Sequence, residues 1–242
     1  MSSKTTTHSE VKEPRISVQA LAEYMAASER GKRTIAQSCR FRAKMRLIQY
    51  NEGKLVAAQF IRKGEGDVEG LLERAEQIAN KLTEEDYEAS VNEHNADLVR
   101  KFAAVSSGID LPKADIGKGM DFDAVPVNGV KVTMRANLTF SRLTKTNKQK
   151  VGAMMFRYAK GKAVVAEIGS YQAAAIFGFL RASELEPGEE AEKALCRVLD
   201  LNTGAVFVAP GDSVNIWNDM KAACASIAER WPNIPKPPGA IL

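Results

Sequence analysis

Histidine, cysteine and long apolar runs are scarce in this chain. Its 242 residues include 2 His and 3 Cys. Cys39, Cys196 and Cys224 are far apart and form no Cys-x-x-Cys pair. That spacing argues against a zinc site and a disulfide framework, and for a reducing, cytoplasmic setting. His8 falls in a polar leader, so a Ser-His-Asp arrangement would have to use His94, a lone histidine on a helix. No apolar run approaches the ~20 residues that span a bilayer, so no membrane partner is expected. The start, MSSKTTTHSEVKEP, has no apolar core of the kind a secretory signal needs. The phosphate-cradling GxxxxGK[ST] and GxGxxG loops are absent, as are HExxH and the GxSxG nucleophile elbow.

What is present is an ordinary globular composition. Hydrophobic residues make up 45% and charged residues 26%, enough for a real core in one large domain or two small ones. The net charge of +4 is compatible with a nucleic-acid partner without requiring one.

The clearest patterning lies between Val130 and Leu180. Val130, Val132, Met134, Ala136, Leu138 and Phe140 alternate with Lys131, Thr133, Arg135, Asn137, Thr139 and Ser141, which predicts a strand with one buried face. Val151–Tyr158 is apolar on both faces until Arg157, as in a central strand covered on both sides. The polar segment 144–150 between them predicts an exposed hairpin loop. A helix follows from about 163 to 181. Ile168, Tyr171, Gln172, Ala175, Ile176 and Phe179 share one stripe facing the sheet, and Ala173, Ala174 and Gly178 keep it thin.

Three regions are expected along the chain: a disordered tail over 1–15, a helical region over 16–108 and a mixed-sheet core over 109–242, with one compact domain formed by the last two as the alternative. Ser17 caps a first helix to about Ser28, which Glu29-Arg30-Gly31 breaks. Segment 49–62 reads as helix in preference to buried strand, and 67–82 has clear helical spacing. Thr83 opens a capping box, TEED, for a helix to about Ser106. Segment 108–128 reads as a long connection, with a short strand at 122–127 as the alternative. Segment 185–190 reads as a loop. Segments 195–201 and 205–209 form a hairpin about Asn202-Thr203-Gly204, and Ser213 caps a last helix, 214–230, before a proline-rich extended tail.

Two sets of residues carry candidate chemistry. The first is the run 30–46, with Arg30, Lys32, Arg33, Arg40, Arg42, Lys44 and Arg46 around Phe41 and no acid after Glu29. Cations interleaved with an aromatic ring suit phosphate contact and base stacking; a solvated helix face is the alternative. The second is the order strand, strand, helix, strand, strand, helix from residue 130, with Ala136-Asn137-Leu138 on the first strand, Lys160 ending the second and Tyr171-Gln172 on the helix. Over its second half the chain resembles the PD-(D/E)XK nuclease superfamily, its RecB- and Cas4-like branch in particular. The resemblance implies an α/β (α+β) protein in which a small mixed sheet with a restriction-endonuclease-like core follows the helical region. It places Asn137 where the family has a metal-binding acid, leaves no acid ahead of Lys160, and matches Tyr171 and Gln172 to the family's glutamine motif.

Such nucleases hold Mg²⁺ on carboxylates. The first expectation is therefore a nucleic-acid-associated accessory protein without catalysis or cofactor, in a bacterial or phage DNA- or RNA-processing or defence assembly. Arg40, Arg42, Lys44, Arg46, Lys131 and Arg135 would contact the nucleic acid. The second is an active nuclease that uses Mg²⁺ on relocated acids such as Asp121 or Asp123; Glu167 and Asp200 are the other carboxylates near the motif. The third is a subunit for protein interaction or homo-oligomerisation, with no nucleic acid.

Overall fold

The computed structural model describes residues 6–44, 48–64 and 67–242. Within them the chain is an α/β protein built on a six-stranded mixed sheet. Its strands are β4 (Asp115–Lys118), β7 (Leu138–Leu143), β8 (Gln149–Arg157), β9 (Glu189–Ala191), β10 (Arg197–Asp200) and β11 (Val206–Val208). The path runs β11-β10-β8-β7-β4, with β9 also pairing β8. β4, β7 and β8 form an antiparallel meander. Helix α6 (Ala166–Ala182) then crosses over to β10, which lies parallel to β8.

β8 shows why the sheet is central. Ala153 and Met155 join one apolar core, whereas Met154 and Phe156 join another. Alternation with apolar residues on both sides is what a strand buried on two faces requires. The second core lies under α3 (Asn51–Lys63), α4 (Val68–Ala79) and α5 (Asp86–Val105). The first lies under α1 (Val18–Ala26), α6 and α7 (Ser213–Arg230). Packing on α6 is close: a Cβ on Gly178 would sit 2.2 Å from the Trp217 ring of α7, and one on Gly169 2.4 Å from Phe207 of β11.

Several expectations are corrected here. The alternating run from Val130 is not one strand. It splits into β6 (Val130–Thr133) and β7, and β6 belongs to a three-stranded sheet with β2 (Arg15–Ser17) and β5 (Val125–Val127). The alternation persists because the chain passes from one core to the other: Val130–Ala136 face the first, Leu138 and Phe140 the second. Segment 108–128 is not a plain connection either. It holds β4 and β5, and Asn128 (φ 43°) with Gly129 (φ 82°) turns β5 onto β6. Positive φ at both turn residues matches the right-handed twist of a hairpin, which is why Asn-Gly is found there.

Residues expected in a disordered tail are ordered from position 6 on. β1 (His8–Glu10) pairs β3 (Phe41–Ala43), and β2 pairs β6 in parallel. Short polar strands have no apolar periodicity to reveal them, and their partners are remote in sequence. The helical region is also not a unit of its own, because α1 packs in the core under α6 whereas α3–α5 cover the opposite face. The first helix ends at Ala26, and Glu29-Arg30-Gly31 begin α2 (Glu29–Arg40) instead of breaking α1. Ser28 caps α2, its Oγ accepting from Gly31 N at 3.3 Å. Thr83 closes a turn onto Glu85 (3.0 and 3.2 Å), and α5 starts at Asp86. Segment 185–190 ends in β9, and Ser213 is the first residue of α7, its hydroxyl bound to Pro210 O.

Candidate nucleic-acid interface

A cleft of 640 Å³ opens where α3, the start of α1 and the sheet meet. Its floor is the ribbon 118–121 against 133–137, with Met155 and Phe156 of β8. Ala136 and Met120 exchange backbone hydrogen bonds at 2.9 and 3.1 Å, so this part of the chain is fixed by strand pairing. The approach is close at Gly119: a Cβ there would lie 2.4 Å from Ala136 O.

Helix α3 forms one wall because it has two faces. Gly53, Val56, Ala57 and Ile61 are buried. Asn51, Lys54, Leu55, Ala58, Gln59 and Arg62, spaced as a second helical stripe, line the cleft. Asn95 of α5 sets the position of that wall. Its Oδ1 accepts from Gly53 N at 2.8 Å, and its Nδ2 donates to Gln49 O and Val91 O, both at 2.8 Å. A side chain 2% exposed with three such bonds holds α3 against α5. The other wall is the start of α1, where Ser17 caps the helix, its Oγ accepting from Ala20 N at 3.1 Å.

The cleft is basic. Lys54, Arg62, Lys118 and Arg135 line it, with Asp121 as the one lining carboxylate among the described residues. Asp121 is itself taken by Arg135 at 3.4 Å. Lys54 is half-buried, and burial, together with the charges of Arg157 and Arg135, lowers its amine to about 8. Arg157 is bound by Glu23 of α1 at 2.8 Å. Leu55 and Met120 are exposed on the same cleft, so apolar surface lies beside the cations.

Of Asn137, Lys160, Tyr171 and Gln172, the positions matched to the nuclease motif's chemistry, only Asn137 lines this cleft. Its Oδ1 accepts from Phe156 N at 2.7 Å, which ties β7 to β8. Lys160 is exposed past the end of β8, where its charge acts on Asp97 of α5. Asp97 also accepts from the Tyr158 hydroxyl at 3.0 Å. Tyr171 is half-buried and Gln172 wholly buried in α6, with neither amide atom of Gln172 hydrogen-bonded. The four positions therefore do not converge.

The carboxylates do not converge either. Asp200, 1% exposed, accepts from Val164 N, Asn202 N and the Thr203 hydroxyl at 2.8 to 3.0 Å and so builds the β10–β11 turn. Asp123 and Glu167 are exposed. Among the described residues no three His, Cys, Asp or Glu side chains stand together as a metal site. Asn137, its oxygen already engaged, supplies no negative charge. The residues at the motif do not fit Mg²⁺.

The basic run separates into parts with different duties. Arg40 is structural: it pairs with Glu10 at 2.7 Å, donates to Trp231 O and to Ile234 O (3.0 Å), and lies 5.0 Å from the Phe41 ring. Phe41 is 5% exposed, so it offers no stacking face. Arg42 and Lys44 are exposed, and Lys44 donates to the Thr6 hydroxyl at 2.6 Å. Arg46 lies outside the described residues. Lys131 is not part of the cleft; it pairs with Glu13 at 2.6 Å. Among the described residues, Arg135 alone of the expected nucleic-acid contacts lines the cleft.

Lys54, Gln59, Arg62 and Lys118 went unnoticed in the sequence. The second stripe of α3 was the available signal, and the apolar stripe beside it masked it. His94 bonds Ser90 O within α5 at 2.7 Å. Burial pushes the Cys39 thiol up to about 11 and those of Cys196 and Cys224 to about 12, so all three are inert as nucleophiles at neutral pH. No helix among the described residues is long and apolar enough to cross a membrane. No family model matches the chain, and no curated protein matches it.

Proposed function

We propose that this protein binds nucleic acid in the cleft between α3 and the sheet, as a non-cleaving accessory subunit on a nuclease-like core. The observation that carries this is the charge of the cleft: among the described residues, Lys54, Arg62, Lys118 and Arg135 stand against Asp121. Cations held on rigid helix and strand positions neutralise backbone phosphates and release counterions. Leu55 and Met120 offer apolar contact to sugars or bases.

The order that carries the PD-(D/E)XK resemblance, strand, strand, helix, strand, strand, helix, recurs in β7, β8, α6, β10, β11 and α7, with β9 added after α6, and it supports a core of that kind. With Asn137 in place of an acid, the cleft would hold a strand and leave it intact. The resemblance also suggests a DNA- or RNA-processing or defence assembly of a bacterium or phage as the setting. The reading with relocated acids draws nothing from Asp121, which Arg135 holds, or from Asp123, which is exposed and outside the cleft.

The test is a fluorescence-anisotropy titration of labelled single- and double-stranded DNA and RNA at two salt concentrations. Incubation of the same substrates with Mg²⁺, Mn²⁺ or EDTA accompanies it. Salt-dependent binding without cleavage is expected. No binding to any of the four would overturn the proposal. Metal-dependent cleavage that is lost on changing Asp121 or Asp123 would replace it with the relocated-acid nuclease.

A further inference from the structure

The basic run leaves three of its cations at a second concavity, of 490 Å³, between α2, the end of α7 and the tail that follows. Its base is apolar. Tyr24, Ala36 and Ile227 are buried there, and half-buried Ile234 closes it beside Pro235. Its rim carries Arg30, Lys32, Arg33 and Arg230 against Glu229. Lys32 is paired with Glu29 at 2.9 Å. That carboxyl is held below its usual range by Lys32 first, and then by Arg230 and Arg33. Among the described residues the guanidinium groups of Arg30, Arg33 and Arg230 make no hydrogen bond or ion pair, Arg30 O accepting from the Thr34 hydroxyl at 3.2 Å. The tail that forms one lip is fixed in place, because Gln37 Nε2 donates to Pro235 O at 2.8 Å and Arg40 holds Ile234 O.

An apolar base under a rim in which cations outnumber carboxylates suits a ligand with the reverse pattern. A nucleic-acid strand fits poorly. Tyr24, the one aromatic ring of the groove, is 6% exposed and has the Lys32 ammonium 5.8 Å from its centroid, so no base can stack on it. An aliphatic side chain needs only the apolar base, and flanking carboxylates meet the guanidinium groups as charge-assisted hydrogen bonds.

We infer that this groove docks an acidic segment of a partner protein. One aliphatic residue packs on half-buried Ile234 and exposed Pro235 over that base, and its acidic neighbours lie on Arg30, Arg33 and Arg230. The inference stands apart from nucleic-acid binding in the cleft, which uses none of these residues.

The probe is a fluorescein-labelled Glu-Asp-Glu-Leu-Asp-Glu peptide, titrated with the full chain at low salt. Saturable binding is expected. Arg33→Glu with Arg230→Glu, both at exposed positions, should weaken it at least about tenfold, since rim charges of the ligand's own sign repel it. Exposed Arg42→Glu with Lys44→Glu should leave it unchanged, and a peptide with Ser in place of Leu should bind more weakly. Hydrogen exchange on the unaltered protein should show peptide-induced protection at 30–37 and 227–235, which checks the location without any variant. No binding by the unaltered protein would overturn the inference. So would equal binding by the Arg33/Arg230 variant, equal binding of the serine peptide, or protection confined to other segments. If the Arg33/Arg230 variant instead loses single-stranded oligonucleotide and keeps the peptide, the groove belongs to the nucleic-acid path and the inference fails.

Discussion

The chain has two basic regions, and they differ in how their charges come together. In the run 30–46 the cations are contiguous in sequence and scattered in space. Arg40 faces the amino-terminal strand and the carboxy-terminal tail, Arg30 and Arg33 a groove, and Arg42 the solvent. In the cleft the cations are dispersed in sequence and assembled in space, from α3, β4 and the ribbon before β7. A charge run shows where basic residues are plentiful. Only the fold decides which of them share a surface.

The comparison is tested first at Arg40. If it is structural, Arg40→Met should cost about 3 kcal/mol of stability, because Glu10 and two backbone carbonyls lose a charged donor together. Chemical denaturation would measure this, and a loss under about 0.5 kcal/mol would place Arg40 with ordinary surface residues. Next, Lys54→Gln, Arg62→Gln and Arg135→Gln combined should weaken oligonucleotide binding about fiftyfold and reduce the salt slope, with little change in melting temperature.

A third test concerns pH. The amine of Lys54 loses its proton at about 8 in the free protein. A bound phosphate favours the charged form, so binding takes up a proton and weakens as pH rises. Affinity should fall about fivefold between about pH 7 and about pH 9, and Lys54→Gln should remove the trend. Stability runs the other way. Unfolded, Lys54 keeps its proton up to the ordinary lysine value of 10.5, whereas folded it releases it at about 8. The unfolded chain therefore binds more protons in that window, and this residue's contribution makes the fold more stable as pH rises through it. The smallest effect should come from Arg42→Ala with Lys44→Ala, which is expected to change oligonucleotide affinity less than about twofold. A loss as large as the cleft variant gives would reverse the comparison.

How much of this was legible in the sequence follows from locality. The period-2 pattern of β7, the two-sided burial of β8, the thin helix α6 and the β10–β11 turn at Gly204 (φ 75°) are set by neighbouring residues, and the sequence announces them. β1, β2 and β9 were missed because three-residue polar strands exist only through distant partners: Phe41–Ala43 for β1, β6 for β2 and the start of β8 for β9. The site divides in the same way. Asn137 and Arg135 were visible on a patterned strand. Lys54 and Arg62 were not, since their convergence with Lys118 depends on Asn95 fixing one helix against another. Phe41 misled for a physical reason: among cations it resembles a stacking ring, and the fold uses it as core.

The contacts between the two ends of the chain also constrain the order of folding. Thr7 N and His8 N both donate to Ile241 O, at 2.9 and 3.1 Å, Trp231 Nε1 donates to Val11 O at 3.1 Å, and Arg40 is held by carbonyls of residues 231 and 234. Elements near residue 10 and residue 40 therefore depend on partners that lie about 190 or more residues away in sequence. Loop closure over so many residues is entropically costly and is deferred until the sheet and its helices have brought the ends together. β1 and α2 therefore complete their hydrogen bonding only against residues 231–241.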